Sequence, residues 1–190
     1  MEYRGYDSAG ITILQPGKPI TIKRIGHVAA LDNALKEEDL KDQGIAIGHT
    51  RWATHGGVTE QNAHPHFNTD KTIFVVHNGI IENYEELRDK LQHAGYKFAT
   101  ETDSEVIPQL IDYYLKQVGS PKQAFEAAIR DLVGAYAIAA LFTEEPESIY
   151  AARLSSPLVI GVGHNEHFIA SDPTAMMEHT KKVIFLDDYE

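Results

Sequence analysis

The chain has 190 residues, of which 43% are hydrophobic and 24% are charged, and its formal net charge is −11. This length suits one domain with a sizeable core, and the composition is that of an ordinary globular protein. The acidic balance argues against a nucleic-acid binder or a protein that docks on anionic membranes, because both need a basic surface. The sequence has no cysteine, which excludes disulfides and thiolate metal sites and fits a reducing compartment.

The sequence carries no sign of membrane insertion. No apolar run approaches the roughly 20 residues of a membrane span. The first residues, Met-Glu-Tyr-Arg, lack the apolar core of a secretory signal. We therefore expect a cytoplasmic protein that binds neither nucleic acid nor membrane.

The first half of the chain is predicted to contain four strands and one helix. Two runs rich in β-branched residues flank the turn Pro-Gly-Lys-Pro at 16–19 and so predict a hairpin. A near-helical spacing of apolar residues predicts the helix, and two apolar runs predict buried strands. The hairpin strands span 8–14 and 20–25, the helix 28–40, and the later strands 45–48 and 72–77, the last ending at Asn78 and Gly79. Residues 56–71 are predicted to form an ordered loop.

The second half begins with helices and ends with strands. Asn83 followed by Glu86, and Thr102 followed by Glu105, resemble capping boxes. They predict helices over 83–93 and 103–118, and Ser-Pro at 120–121 opens a third helix that ends near residue 132. Later apolar runs between turn residues predict strands over 135–143, 148–153, 158–162, 167–171 and 183–186, with a short helix from Asp-Pro at 172–173.

This order of elements predicts an α+β fold. Strands lie at both ends of the chain and helices are gathered in the middle. Consecutive hairpins imply mainly antiparallel sheet, and long apolar strands indicate sheets that are covered on both faces. Two stacked sheets between helices satisfy both conditions.

The stretch from Gly48 to Gly56 combines a fixed cation, hydroxyls, imidazoles and an indole directly after an apolar strand. A polar loop at the end of a strand is a common way to build a ligand site. Arg51 has the planar fork that grips a carboxylate at two points, so the pattern predicts a site for a small anionic ligand. The alternative is that Arg51 pairs with a structural acid.

Two further positions can complete such a site. Asn78 and Gly79 can offer a side-chain amide and a backbone N–H to an oxyanion, as acyl transfer requires, although Asn-Gly is also a routine turn. Asp103 can hold an ammonium group, although an acid near the start of a helix also serves the helix dipole. With Arg51, these residues supply the three features that hold an α-amino acid whose side-chain carbonyl is attacked.

Five ordered segments of the chain resemble one family. They are Glu-Tyr-Arg-Gly-Tyr-Asp-Ser-Ala-Gly at 2–10, Gly-His-Thr-Arg-Trp-Ala-Thr-His-Gly at 48–56, Asn-Ala-His-Pro-His at 62–66, Val-His-Asn-Gly-Ile-Ile-Glu-Asn at 76–83 and Glu-Thr-Asp-Ser-Glu at 101–105. Together they resemble the glutaminase domain of the glucosamine-6-phosphate synthases, over essentially the whole chain. The related amidophosphoribosyltransferases are similar in plan but usually differ in the Tyr-Arg-Gly-Tyr-Asp and Thr-Arg-Trp-Ala-Thr-His segments.

The resemblance implies a class II glutamine amidotransferase with a four-layer α/β/β/α fold of the N-terminal-nucleophile type, without cofactor or metal. In this family the N-terminal cysteine attacks the glutamine amide. The matched residues are glutamine-binding Arg51, Thr54, His55 and Asp103, oxyanion-hole Asn78 and Gly79, the lid residue Trp52, and Arg4 and Gly5 near the nucleophile.

The sequence departs from the family in one respect, because it contains no cysteine. In the family, a segment with the nucleophile precedes Glu-Tyr-Arg-Gly, and a sugar-phosphate isomerase half that binds fructose 6-phosphate follows. We therefore expect an N-terminally truncated glutaminase domain over residues 1–190, without the isomerase domains, that cannot hydrolyse glutamine. Its expected partners are L-glutamine and, in the full enzyme, the isomerase domain; a homodimer stays open.

Two other functions remain open from the sequence. Five of the ten histidines, His49, His55, His64, His66 and His77, fall in one short stretch. His64 and His66 could share a metal ion, which would suit a metallohydrolase, but no His-Glu-x-x-His motif is present. A catalytically silent regulatory or binding module would explain the absent nucleophile.

Overall fold

The computed structural model describes residues 5–16, 18–40 and 44–190. Within these ranges the chain forms ten strands, four α-helices and one short 3₁₀ helix. In chain order they are β1 Ser8–Leu14, β2 Ile20–Ile25, α1 Val28–Leu35, β3 Ile45–Arg51, β4 His66–Phe67, β5 Ile73–Ile81, α2 Tyr84–His93, α3 Val106–Val118, α4 Pro121–Asp131, β6 Gly134–Phe142, β7 Ile149–Leu154, β8 Val159–Val162, β9 His167–Ala170, the 3₁₀ helix Pro173–Met176 and β10 Val183–Phe185.

Two antiparallel sheets stack face to face. The first has the strand order β2-β1-β3 and the second β4-β5-β6-β7. Apolar side chains of both sheets meet between them, namely Leu14 and Ile47 from the first and Phe74, Ala139 and Leu141 from the second. The predicted pair of stacked antiparallel sheets is therefore confirmed.

Helices cover the outer faces of both sheets. Leu31 of α1 packs on Ala9, Ile20 and Ile22 of the first sheet. Helices α2, α3 and α4 cover the second sheet, where Ile107 and its apolar neighbours on α3 are fully buried. Burial of one such large apolar side chain contributes about 1.5–3 kcal/mol. The result is the predicted α/β/β/α order of layers.

The last strands form a third, short sheet that the sequence did not predict. Its order is β10-β8-β9, and all its pairs are antiparallel. The chain leaves the second sheet after β7 at Ser155, which has φ +62° and donates its backbone N–H to Asp188. This turn redirects β8, so β8 pairs with β9 and β10 and does not extend the second sheet. No helix in the described ranges is long and apolar enough to cross a membrane.

Two helices are shorter than predicted. Helix α1 ends at Leu35 and not near residue 40; beyond it Leu40 is 41% exposed, so no buried apolar face supports further turns. Helix α3 begins at Val106 and not near Asp103. The Glu105 carboxylate accepts hydrogen bonds from the backbone N–H groups of Ala99 and Thr100, so the predicted capping box does not form.

The predicted cap of α2 is also wrong in detail. Asn83 occupies the N-cap position but makes no side-chain cap hydrogen bond. Its amide instead donates to the Asp131 carbonyl and accepts from the Val133 N–H. Asn83 therefore joins the start of α2 to the end of α4.

Two strands run further than predicted. β3 continues through Arg51, and β5 passes Asn78 and Gly79 and continues to Ile81. The β5–β6 pairing explains this extension, because Ile81 is still opposite Gly134. Asn78 and Gly79 are therefore strand residues, and the alternative that they form a turn is wrong.

Candidate active site

A cavity of about 710 Å³ opens between the first and third sheets. β3, at an edge of the first sheet, and β9, at an edge of the third, contribute residues to its lining, as do β5 and β6 of the second sheet. The segment 102–104, just before α3, also lines it. The cavity is therefore built by parts of the chain that are far apart in sequence.

The structure brings the sequence-predicted site residues to this one cavity. The lining includes Gly5, Arg51, Trp52, Thr54, His55, Asn78, Gly79 and Asp103. Arg4 lies outside the described residues. The predicted cation, side-chain amide and carboxylate thus share one cavity, as binding of a single small ligand requires.

Arg51 ends β3 and is only 4% exposed. Its Nη2 donates to the carbonyls of His55 at 2.5 Å and Gly56 at 3.4 Å, and its Nη1 donates to the carbonyl of Gly57 at 3.3 Å. Within the described part of the chain, no carboxylate pairs with the guanidinium. The alternative that Arg51 serves a structural acid therefore has no support there.

The loop after Arg51 is held by two acidic residues that the sequence analysis did not assign to the site. The Asp7 carboxylate accepts from the Ala53 N–H at 2.6 Å. Glu101 accepts from the Gly57 N–H and from the Asn62 amide, each at 3.2 Å, and these bonds lower the pKa of Glu101. These bonds fix the turn whose carbonyls receive the Arg51 guanidinium.

The side chain of the lid candidate Trp52 is 70% exposed, although the backbone N–H of the next residue, Ala53, is hydrogen-bonded to Asp7. A Cβ on Gly5 would lie 3.4 Å from the Trp52 ring, so the two residues are close neighbours in the cavity lining.

Asp103 is buried to 3% exposure in the segment before α3. Its Oδ2 accepts from the Ile81 N–H at 2.9 Å and its Oδ1 accepts from the Ser104 hydroxyl at 3.3 Å. No lysine, arginine or histidine side chain of the described residues forms an ion pair with it. Helix α3 begins only at Val106 and has no acidic residue in its first turn, so Asp103 lies outside the turn in which an acid would serve the helix dipole.

Gly79 needs to be glycine for a steric reason. Its φ is +141°, and a Cβ at this position would overlap the Ala135 carbonyl on the neighbouring strand β6. The close approach of the two strands sets the position of Asn78 and Gly79 at the cavity wall. Any side chain larger than hydrogen would push this wall outward.

Four histidines cluster between the sheets, of which His64, His66 and His77 are buried and His49 is half-buried. The rings of His49 and His64 stack at 4.3 Å, and those of His64 and His66 meet edge to face at 4.6 Å. Burial lowers the pKa values of His49 and His77 to about 4 and those of His64 and His66 well below the ordinary value. These imidazoles are therefore neutral at pH 7.

Hydrogen bonds within the protein engage two of these histidines. His64 Nδ1 accepts a hydrogen bond from the backbone N–H of His77. His66 Nε2 forms a hydrogen bond with the Thr102 hydroxyl. Across residues 5–16, 18–40 and 44–190, no group of three or more potential ligands has a geometry that could hold a metal ion. Nothing in this part of the chain supports the metallohydrolase alternative.

Sequence reasoning missed two parts of the site. Ser104 and His77 touch each other at 2.8 Å in the cavity wall, and their places in the Glu-Thr-Asp-Ser-Glu and His-Asn-Gly motifs were the available signal. The opposite wall comes from Leu158, Ile169 and Ala170. These apolar residues resemble those of any buried strand, so no sequence signal marks them as part of a site.

The fold and the cavity define a glutamine amidotransferase domain. Residues 49–178 match the family described as the glutamine amidotransferase domain. This match covers more than half of the chain and most of the cavity lining, and the chain therefore belongs to this family.

Within this family the chain is similar to enzymes named glutamine–fructose-6-phosphate aminotransferase [isomerizing]. It is 50% identical to the one from Clostridium perfringens over 190 residues, which cover 100% of this chain and 31% of that protein. It is 48% identical to the one from Xylella fastidiosa (strain Temecula1) over 188 residues, which cover 99% of this chain and 30% of that protein. The chain thus spans less than a third of the length of these relatives.

Solved structures agree with this fold. Glutamine phosphoribosylpyrophosphate amidotransferase from Bacillus subtilis, complexed with ADP and GMP, is 28% identical with a TM-score of 0.77, over 97% of this chain and 39% of that one. A glutamine aminotransferase class-II domain protein from Silicibacter pomeroyi matches over 86% of this chain and 79% of that one with a TM-score of 0.60. At 20% identity, that second likeness concerns the fold alone. The predicted amidotransferase fold of the N-terminal-nucleophile type is confirmed.

Proposed function

We propose that residues 1–190 form the glutamine-binding domain of an enzyme that takes ammonia from L-glutamine to make glucosamine 6-phosphate from fructose 6-phosphate. The full-chain similarity to glutamine–fructose-6-phosphate aminotransferases supports the choice of reaction. One structural observation carries the choice of ligand. Arg51 and Asp103 are both buried, line one cavity, and have no oppositely charged partner among the described residues.

Buried charges are costly unless they are paired, so two unpaired ones of opposite sign call for a ligand that carries both signs. A free α-amino acid carries a carboxylate and an ammonium on one carbon. In this proposal the Arg51 fork binds the carboxylate, with Thr54 and His55 beside it, and Asp103 binds the ammonium. A monoanion or a simple amine would leave one of the two buried charges unpaired.

The reacting end of glutamine would lie toward β5. Asn78 and Gly79 at the cavity wall are the proposed donors to the oxyanion that forms when the side-chain amide is attacked. Trp52 is the proposed lid over bound glutamine, and Gly5, with Arg4 from outside the described residues, would support the neighbourhood of the nucleophile.

The sequence contains no cysteine, so the proposed nucleophile is not among its 190 residues. We therefore expect this polypeptide to bind glutamine without hydrolysing it. The greater length of the relatives supports a sugar-phosphate isomerase partner domain, as their name implies. The cysteine-free composition also fits the proposed cytoplasmic location.

The test is a titration of the purified chain with L-glutamine, measured by calorimetry and by amide NMR. We expect a Kd of about 1 mM or weaker, and 1 mM corresponds to about 4 kcal/mol of binding free energy. D-Glutamine is the matched control, because it carries the same charges with the wrong geometry. Equal binding of both enantiomers, or release of ammonia from L-glutamine by this chain, would contradict the proposal.

A further inference from the structure

Asp103 is the last member of a short chain of hydrogen bonds that begins at His77. We infer that His77 and Ser104 are positioning residues, which orient the Asp103 carboxylate so that it receives the ammonium group of the ligand. This inference rests on the proposed function, because it assigns how the amino group is recognised in the same cavity.

The three side chains form a continuous, buried path. His77 Nδ1 lies 2.8 Å from the Ser104 hydroxyl oxygen, and that hydroxyl donates to Asp103 Oδ1 at 3.3 Å. Each of the three residues is only 3% exposed, and all three line the 710 Å³ cavity. The other carboxylate oxygen is tied to the Ile81 N–H at 2.9 Å. Both oxygens of Asp103 are therefore held from the protein side.

The number of available protons decides which group donates each hydrogen bond in the path. A serine hydroxyl has one proton, so if Ser104 donates it to Asp103, the His77 ring must donate through Nδ1. Nε2 of His77 then carries no proton, which agrees with its having no hydrogen-bond partner in the described structure.

The charge of His77 is as important as its position. Burial lowers its pKa to about 4, although the Asp103 carboxylate and the Ala135 carbonyl both oppose this shift. The Ala135 carbonyl nevertheless forms no hydrogen bond with Nε2 that has acceptable geometry. A neutral imidazole can fix Ser104 without supplying a cation, so it does not compete with the ligand ammonium for Asp103.

The hydrogen-bond path also leaves acceptor sites on Asp103 for an ammonium group. An ionised carboxylate has about four acceptor sites, and the described residues use one on each oxygen. The remaining sites are available to an ammonium group. A carboxylate that is already oriented loses less conformational freedom on binding, which improves affinity.

The first test compares two ligands on the same chain. L-Glutamine carries the ammonium group, and 4-carbamoylbutanoate has the same skeleton without it. We expect Ser104→Ala to weaken L-glutamine binding about tenfold and to leave 4-carbamoylbutanoate binding unchanged, because the loss of one hydrogen bond to a charged group has an effect of this order. Ser104→Thr keeps the hydroxyl and should restore L-glutamine binding.

The second test concerns His77. His77→Asn keeps an N–H near the Nδ1 position and should bind L-glutamine better than His77→Phe, which has no donor. Ser120→Ala removes the cap of α4 outside the cavity lining. It is therefore the control for general destabilisation, and it should not change the ratio of the two affinities.

The third test is the tautomer of His77, read from ¹⁵N chemical shifts of the ligand-free chain. A proton on Nδ1 supports the path, and a proton on Nε2 alone overturns it, since Ser104 would then donate to His77. If Ser104→Ala loses the same affinity for both ligands, the positioning role is overturned, but the proposed binding of glutamine to the wild-type chain is not. A wild-type chain that binds neither ligand overturns the proposed function and the positioning role with it.

Discussion

The Ile81 N–H donates to the Asp103 carboxylate at 2.9 Å and so joins the end of β5 to the segment that precedes α3. Asn78 and Gly79 lie on this same strand, only a few residues before Ile81. The position of the proposed ammonium acceptor is therefore coupled to that of the proposed oxyanion donors. Such rigid coupling suits a site that must hold both ends of one ligand at once.

Arg51→Lys should weaken L-glutamine binding at least tenfold. Lysine keeps the charge but has no planar fork, so it cannot grip a carboxylate at two points or reach the three loop carbonyls together. A hydrogen bond to a charged group contributes about 1.5–3 kcal/mol. Calorimetric titration measures the loss, and Arg24→Lys, at a partly exposed arginine outside the cavity, is the control. Equal affinity of the wild type and Arg51→Lys would remove Arg51 from the site.

Asp103→Asn should weaken L-glutamine binding without lowering the free energy of unfolding by a comparable amount. The amide keeps an acceptor for the Ile81 N–H but loses the charge, so L-glutamine binding should fall about tenfold or more. The free energy of unfolding should change little, because the gain from removing a buried carboxylate without a cation offsets the loss of the acceptor for the Ser104 hydroxyl. Urea unfolding and ligand titration on the same samples measure both. A marked loss of stability would indicate that Asp103 has a mainly structural role.

Gly79→Ala should destabilise the fold strongly. The added Cβ would overlap the Ala135 carbonyl, and the backbone has φ +141°, so strands β5 and β6 must separate. We expect a loss of more than about 2 kcal/mol in the free energy of unfolding. Gly57→Ala is a matched control, since a Cβ there meets nothing within 4 Å. If both variants unfold at the same urea concentration, the close approach of β5 to β6 is not a constraint.

The buried histidines should make the chain sensitive to mild acid. Burial lowers the pKa values of His49 and His77 to about 4 in the folded chain, against 6.5 for a free imidazole. Between these values the unfolded chain binds more protons, so the free energy of unfolding falls as the pH decreases from about 6.5 towards 4. Each histidine contributes about 3 kcal/mol over this range, by the energy of one pKa unit.

Urea unfolding at pH 7, 6 and 5 measures this dependence. The midpoint should drop at each step, before most carboxylates become protonated. His167→Gln changes an exposed histidine on β9 and should follow the same pH profile as the wild type. A midpoint that is constant from pH 7 to pH 5 would show that His49 and His77 are not held neutral by burial.

The elements that the sequence predicted well are those with a strong apolar period. Val106, Ile107, Leu110 and Ile111 are fully buried on α3, as their helical spacing predicts. Ser120 and the proline after it start α4 where the pattern predicts, and the Ser120 hydroxyl accepts from the Gln123 N–H. In these helices, local signals and tertiary packing agree.

The predictions that were wrong concern places where tertiary contacts override local signals. Thr102 and Glu105 have the spacing of a capping box, but the Glu105 carboxylate accepts hydrogen bonds from the backbone N–H groups of Ala99 and Thr100 instead. Asn78 and Gly79 have the composition of a turn, but pairing with β6 keeps them in a strand. The third sheet was missed because strand composition does not say which strands pair.

The cavity walls come from distant parts of the chain, with Gly48 to Arg51 on one side and Ile169 and Ala170 on the other. A partly folded chain in which only one wall has formed offers no complete pocket to a ligand. A ligand that binds only this pocket therefore stabilises only the finished structure, by an amount that grows with the logarithm of its concentration over Kd. Under the proposed function, occupancy of the pocket by L-glutamine is therefore a readout of completed folding.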